Sequence, residues 1–358
     1  MKKALLPLTI VALASQANAG TVTTKGDDLV IDTKGGFKVY TADKSKSFQI
    51  GGRLQWDYEA DESDVKDDTD DFDVRRARLY VKGNVGNWAY KAQFNIAESS
   101  GAKGGDAEDL YIRYTGFGKQ ANVTLGKQKE PFGLESLTSS KDISSLERSA
   151  MTEFYTPGRN SGLQLHGKGS NWTYGIGVFE ADGDGSNDAD HTAVTGRFTF
   201  NPVKTDSTIV HLGAGFSTRD ADTSDDELDV YNLELATAMG PFHAQAEYFD
   251  AEQGDEDADG YYVQLGYVFN GKRPYKDGKF KKVKPSSKDG AWELVLRYED
   301  GDGKYSDIDL SSGDGEQTTI GVNYYLNSNV RLGLSFMDGE QDNVGDGEEL
   351  RFRTQFTF

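Results

Sequence analysis

Residues Ile50 to Tyr58 read IGGRLQWDY. Ile50, Gly52, Leu54, Trp56 and Tyr58 alternate with Arg53, Gln55 and Asp57, the period of two expected of a strand with one apolar and one polar face. Moving outward from this stretch, the pattern repeats. Ala77, Leu79 and Val81 alternate with Arg76, Arg78, Tyr80 and Lys82. Trp88, Tyr90, Ala92, Phe94 and Ile96 alternate with Lys91, Gln93 and Asn95. Leu110, Ile112 and Tyr114 oppose Asp109, Tyr111 and Arg113, and Val123 and Leu125 open a fifth strand. Further strands centre on Leu165, Ile176, Phe198, Leu212, Leu233, Ala246, Leu265, Leu296, Val322, Leu334 and Phe352. The total is about sixteen, an even number in the range of bacterial outer-membrane barrels.

The connections alternate as well. Short turns such as Gly83–Asn87, Gly116–Gln120, Gly169–Asn171 and Met239–Pro241 follow the even strands. Long, mostly acidic loops follow the odd ones, among them Ala60–Asp71, Glu180–Asp190, Arg219–Asp229, Asp250–Asp259 and Asp300–Glu316. Short turns on one rim and long loops on the other are the asymmetry of an outer-membrane barrel. The final strand presents Leu350, Phe352, Thr354, Phe356 and Phe358 on one face. The sequence therefore predicts an all-β fold, a transmembrane antiparallel β-barrel with an inward-folded constriction loop. Open sheet edges cannot persist in hydrocarbon, so the sheet must close.

Composition agrees once hydropathy is read per face. The mean hydropathy of −0.64 looks soluble, but a membrane barrel is apolar on only one face of each strand. The chain has 358 residues, 42 glycines, 18 tyrosines, 19 phenylalanines and 7 prolines, which suits many short strands with aromatic belts. It has no cysteine, which excludes disulfides and thiol chemistry. Lys2 and Lys3, the apolar run Ala4 to Ala14 and the small residues Ala17-Asn18-Ala19 read as a cleaved signal peptide over 1–19. A segment at 20–47 then leads to the barrel at 48–358, located in the outer membrane.

The rhythm breaks between Lys127 and Gly162, in KQKEPFGLESLTSSKDISSLERSAMTEFYTPGRNSG. Phe132, Leu134, Leu137, Ile143, Leu146, Met151, Phe154 and Tyr155 can anchor it, and it carries charges of both signs. An ordered insert of this length reads as functional, here as a constriction folded into the lumen. A charge facing lipid at mid-depth costs about 2–4 kcal/mol, so the polar faces line the lumen. The inward bases are Arg53, Arg76, Arg78, Lys82, Lys91, Arg113, Arg197, Arg297, Arg331, Arg351 and Arg353. The inward acids are Asp57, Glu59, Asp109, Glu234, Glu247, Glu293 and Glu299. The wall leans positive although the whole chain has a net charge of −20. A second long connection, Gly271 to Lys288, is strongly basic; it is either a solvated periplasmic loop or a second inward-folded or mouth-lining segment that holds anions.

Five places resemble the phosphate-selective porin O and P family. They are FQIGGRLQWDYE, FDVRRARLYVKG, LGKQKEPFGLE, SSLERSAMTEFYTPGRNSGLQLHG and GKRPYKDGKFKKVKPSSKDGAWELVLRYED, in order along the chain. The resemblance implies a homotrimer of sixteen-stranded, water-filled pores, in contact with outer-membrane lipid and lipopolysaccharide, that passes small anions such as phosphate. It implies anion-binding, pore-lining roles for Arg76, Arg78, Lys127, Lys129, Arg148 and Arg159. Between Thr208 and Phe249, however, the chain offers only Arg219, a thinner ladder than phosphate-specific members have. A general pore of weak selectivity and a loop-plugged barrel serving as adhesin or phage receptor remain as alternatives.

Nothing in the sequence calls for a cofactor or nucleic acid. The four histidines, His166, His191, His211 and His243, lie on separate segments, and no phosphate-cradling loop occurs. Asp255, Asp257, Asp259 and Gly260 begin like a calcium loop, but Gly266 stands where the bidentate glutamate is needed. Solvated acidic loop tips are the expected reading, so no metal site is assigned. Divalent bridging to lipopolysaccharide is the other reading of these acids.

Overall fold

The computed structural model describes residues 20–22, 28–33, 36–64, 68–98, 103–181, 191–220, 227–305, 308–309, 315–341 and 345–358. Among them, sixteen antiparallel strands form one closed sheet. In the first half these are β1 Lys46–Ser63, β2 Thr69–Val85, β3 Trp88–Asn95, β4 Ala107–Tyr114, β5 Asn122–Lys129, β6 Arg159–Lys168, β7 Trp172–Glu180 and β8 Thr192–Lys204. In the second half they are β9 Thr208–Asp220, β10 Glu227–Met239, β11 Phe242–Gln253, β12 Glu256–Phe269, β13 Ala291–Tyr305, β14 Gly315–Tyr325, β15 Val330–Gln341 and β16 Gly345–Thr357. Each pairs with its sequence neighbours, and β16 returns to β1 in a register running from Thr357 opposite Arg53 to Gly347 opposite Ser63. The chain end seals the seam: Phe358 and Gly52 exchange backbone hydrogen bonds of 3.0 and 3.2 Å.

The two faces separate as the alternation requires. Leu110, Leu125, Leu163, Leu233, Leu265, Ile320 and Leu334 are exposed on the outside, while Gln264, Glu293, Arg297 and Arg353 are buried inside. One rim carries a belt of aromatic pairs, Trp88 with Tyr114, Phe242 with Tyr267, and Trp292 with Tyr324, as membrane-interface rings do. A short meander precedes the barrel. Leu29–Asp32 pairs with Phe37–Thr41, whose residues Phe37 to Tyr40 pair in turn with β1. Residues 1–19, read as a signal peptide, lie outside the described residues.

Several expected loops turn out to be wall. Strands β11 and β12 continue to Gln253 and Glu256, with Asp250 opposite Asp259, so Asp250–Asp259 is a hairpin and not a long loop. Asp300 likewise pairs with Glu316, and Ala60 with Asp70, at the feet of loops whose residues 306–307, 310–314 and 65–67 lie outside the described residues. The physical reason is that acids satisfy the outward half of the alternation above the membrane as well as turns do. Ala251 and Ala258 stay buried on the inward half. The calcium-like spacing from Asp255 to Gly260 therefore lies on a tight turn and an extended strand, not on a coordinating loop. Residues 182–190 of the Glu180–Asp190 loop and 221–226 of Arg219–Asp229 lie outside the described residues.

Two connections fold into the barrel. The segment between β5 and β6 contains helices α1 Leu134–Leu137 and α2 Ala150–Tyr155. Its Phe132, Met151 and Tyr155 pack on the inward-facing Leu228, Val230, Phe249, Ala251, Ala258 and Tyr262. Burying side chains of this kind contributes about 1.5–3 kcal/mol each. The wall makes room with small residues: a Cβ at Gly333 would meet Leu146 at 2.4 Å, and one at Gly260 would meet the Met151 sulfur at 2.3 Å. The basic connection between β12 and β13 also enters, burying Phe280 against Leu134 and Ala236. Of Gly271–Lys288, Phe280, Lys279 and Lys281 thus lie inside the barrel rather than on a solvated periplasmic loop.

Candidate functional site

The constriction is fastened by the acids of the far wall. Glu247 accepts the backbone N–H groups of Leu134 and Glu135 at 2.7 and 2.9 Å, the orphan donors at the start of α1, and the Tyr262 hydroxyl at 2.6 Å. Glu293 accepts from the Ser144 hydroxyl at 3.0 Å and pairs with Arg273 at 3.1 Å. Glu299 accepts the Ala150 N–H at 2.6 Å, at the start of α2. Wall arginines hold the loop's carbonyls. Arg331 donates to Ile143 and Ser144, Arg297 to Glu147 at 3.0 Å, and Arg353 to Leu146. Arg297, Arg331 and Arg353, expected to face the pore, are instead covered by the loop. Strand alternation tells inward from outward but not which inward groups an insert will cover.

Two β-bulges double the inward charge on the near wall. In β2 the register jumps between Gln55–Arg76 and Trp56–Val74, so Arg75 and Arg76 both turn inward. Both reach Glu147 of the loop, at 3.0 and 2.8 Å, and Arg353 pairs with the same carboxylate. Burial alone would raise Glu147, but Arg76 and Arg353 hold it well below the usual carboxylate range. Between β3 and β4 a second shift skips Glu108, so Glu108 and Asp109 both turn inward. Glu108 pairs with Arg78 and Arg159, and Asp109 with Lys91 and Arg159. Strict alternation would put Arg75 and Glu108 outside. The doubled charges RR and ED inside alternating strands were the one sequence signal for a bulge.

Between this near wall and the loop lies a cavity of about 910 Å³. Five of the six predicted residues border it: Arg76, Arg78, Lys129, Arg148 and Arg159. Lys129 donates to the Ser136 carbonyl, and Arg148 donates to the Glu135 and Thr138 carbonyls while pairing with Glu153 at 3.0 Å. The sixth, Lys127, does not join them. It sits opposite Leu110 and Ser161 on the outward face, in step with the exposed Leu125. Beyond those six, the cavity gathers Arg53, Arg75, Lys91, Arg113, Lys119, Lys168, Arg197, Lys279 and Lys281. Its acids are Asp109, Glu153 and Asp277. Arg53 donates only to the Ser139 hydroxyl, at 3.2 Å, and its Nε has no partner among the described residues. Lys279 comes from the inward basic turn. Burial first, then the neighbouring Lys281, Arg197 and Lys91, push it down to about 7.

A closed antiparallel ring, apolar outside, charged inside and narrowed by its own loop, defines a channel barrel of the outer-membrane type. Comparison with known proteins makes this specific. The family model for phosphate-selective porin O and P matches residues 48–228 and 219–358, and the chain belongs to that family. It is 31% identical to Porin O of Pseudomonas aeruginosa, with 97% of this chain and 96% of that protein covered. Solved structures show the same fold at low identity. An anion-selective porin from Comamonas acidovorans superposes with TM-score 0.62 at 13% identity, covering 87% of this chain and 100% of the other. DcaP of Acinetobacter baumannii gives 0.59 at 13%, covering 89% and 99%. The trimer form of OmpT of Vibrio cholerae gives 0.58 at 15%, covering 88% and 100%. The protein is thus a non-enzymatic outer-membrane porin.

Proposed function

We propose that the barrel conducts small anions, with phosphate as the favoured class, through the cationic cavity beside the loop. The observation that carries this reading is the lining: Arg53, Arg113, Lys279 and Lys281 supplement Lys129 and the paired Arg76, Arg78, Arg148 and Arg159, against three acids. Among the described residues the first four have no carboxylate within ion-pairing distance, so an entering anion meets uncompensated charge. A row of moderate sites lets an ion enter and leave, whereas one deep site would trap it. Arg76 and Arg159, already tied to acids, chiefly shape the narrowing. Chains of this kind would assemble as trimers in contact with lipopolysaccharide, after export directed by 1–19. The trimer form of the structurally similar OmpT supports that assembly.

The test is electrical. Purified protein in planar bilayers under a potassium chloride gradient should give a reversal potential of anion sign, and phosphate should block the chloride current. Arg53→Gln and Lys279→Gln should each weaken that block several-fold without noisy openings. Cation selectivity in the unmodified protein would overturn the reading, and so would block insensitive to both changes. A pore with anion sign but no phosphate block would be the general porin of weak selectivity.

A further inference from the structure

One charged group in the narrowing fits neither the bracing nor the anion-attracting set. Glu153 lies on α2 with its side chain 58% exposed, whereas its partner Arg148 is 11% exposed. Glu147, Glu247, Glu293 and Glu299 each hold backbone or wall groups; the contact that places Glu153 is the 3.0 Å pair with Arg148. Arg148 does not need it for position, because it is also fixed by the Glu135 carbonyl at 3.3 Å and the Thr138 carbonyl at 3.2 Å. The carboxylate borders the cavity. It stays ionised: burial would raise it, but Arg148, Lys129 and Arg76 keep it below its ordinary value.

We infer that Glu153 is a tethered counter-anion of the narrowing, resting on Arg148 when the pore is empty and yielding that guanidinium to each permeating anion. This rests on the anion-conducting reading above and adds a specificity-setting residue to it. An exposed carboxylate on a short helix can swing aside at small cost, since an exposed ion pair is worth little. Its presence keeps Arg148 from holding phosphate too long, as a pathway of moderate sites requires. It also penalises anions too weakly charged to displace it.

The experiment uses the full chain in planar bilayers, with inorganic phosphate titrated against chloride current. For Glu153→Gln, removing one charge a few ångströms from the bound anion should tighten phosphate block about tenfold. The current carried by saturating phosphate alone should fall, because residence lengthens. Adding Arg148→Gln to that variant should abolish the tightening, since the effect runs through that one guanidinium. Unchanged block in Glu153→Gln, while the parent shows anion sign and phosphate block, would overturn the inference and leave the channel reading standing. Noisy, enlarged openings with weaker block would overturn it too, by showing that Glu153 braces α2. Parent protein without phosphate block would instead remove the phosphate preference on which the inference rests, leaving the general porin of weak selectivity.

Discussion

Replacing Glu247 with alanine tests whether the constriction is a docked element. Its carboxylate, buried to 2% exposure, is the acceptor for the Leu134 and Glu135 amides and the Tyr262 hydroxyl. Truncation leaves two buried backbone donors without their acceptor, and each such orphan costs about 1–3 kcal/mol. Tyr262 loses less, because its oxygen keeps the Gln245 donor at 2.9 Å. A total of about 4 kcal/mol would raise the undocked-to-docked ratio of the first helical turn about a thousandfold. Glu247→Gln keeps one acceptor oxygen and should cost about half as much. Neither change touches a group bordering the cavity, so the sign of selectivity should persist. Single-channel recording should show flickering, enlarged openings, strong in the alanine variant and mild in the glutamine variant. Quiet openings of parental size in Glu247→Ala would refute the reasoning, because the apolar anchors alone would then hold the loop.

Anion preference should depend on pH through Lys279. With its proton lost near pH 7, the lysine is charged below that value and neutral above it. The anion-to-cation permeability ratio should therefore fall as pH rises from 6 to 8.5, and Lys279→Gln should flatten that slope. Reversal potentials at fixed salt gradient measure both. Lys127→Gln should leave selectivity and phosphate block unchanged, since this side chain faces outward beside Leu110 and Ser161; a shifted reversal potential would place it in the pore after all. Deleting Phe358 removes the residue that exchanges two backbone hydrogen bonds with Gly52, so heat-modifiable, protease-resistant barrel in the outer membrane should drop sharply.

The barrel was legible in the sequence because each strand repeats a two-residue rule that lipid enforces locally. Leu54 and Leu110 could be placed outside and Arg53 and Asp109 inside without knowing any partner. The rule failed where the backbone inserts one residue. Arg75 and Glu108 turned inward only through bulges, and a bulge is set by the neighbouring strand's register, which a single strand's sequence does not contain. Lys127 failed for a related reason. It belongs to the motif that opens the loop, but the chain leaves the sheet two residues later, after Lys129, so Lys127 still obeys strand parity. Long-range cover was the least legible. Arg297, Arg331 and Arg353 have the same inward parity as Arg53 and Arg113, and only the docked loop separates them.

That separation changes how the wall's charge should be counted. A tally of inward bases suggests arginines all round the lumen, as if every one met the permeating ion. In the structure the strands from β13 to β16 turn theirs to the loop, where Arg331 and Arg353 bind its carbonyls and Arg351 and Arg353 bind Glu147. The field that an anion meets comes from the opposite side, from β1 to β8, and from Lys279 and Lys281 of the inward turn. The two sets of cations have different consequences. Buried braces left without their partner are strongly destabilising, about 3–5 kcal/mol, so their loss should be felt in docking and assembly. The cavity-facing set stands beside water and open space, so its loss should be felt in selectivity with the loop still seated. A positive wall is therefore two devices built from one residue type, and the position of the loop decides which arginine belongs to which.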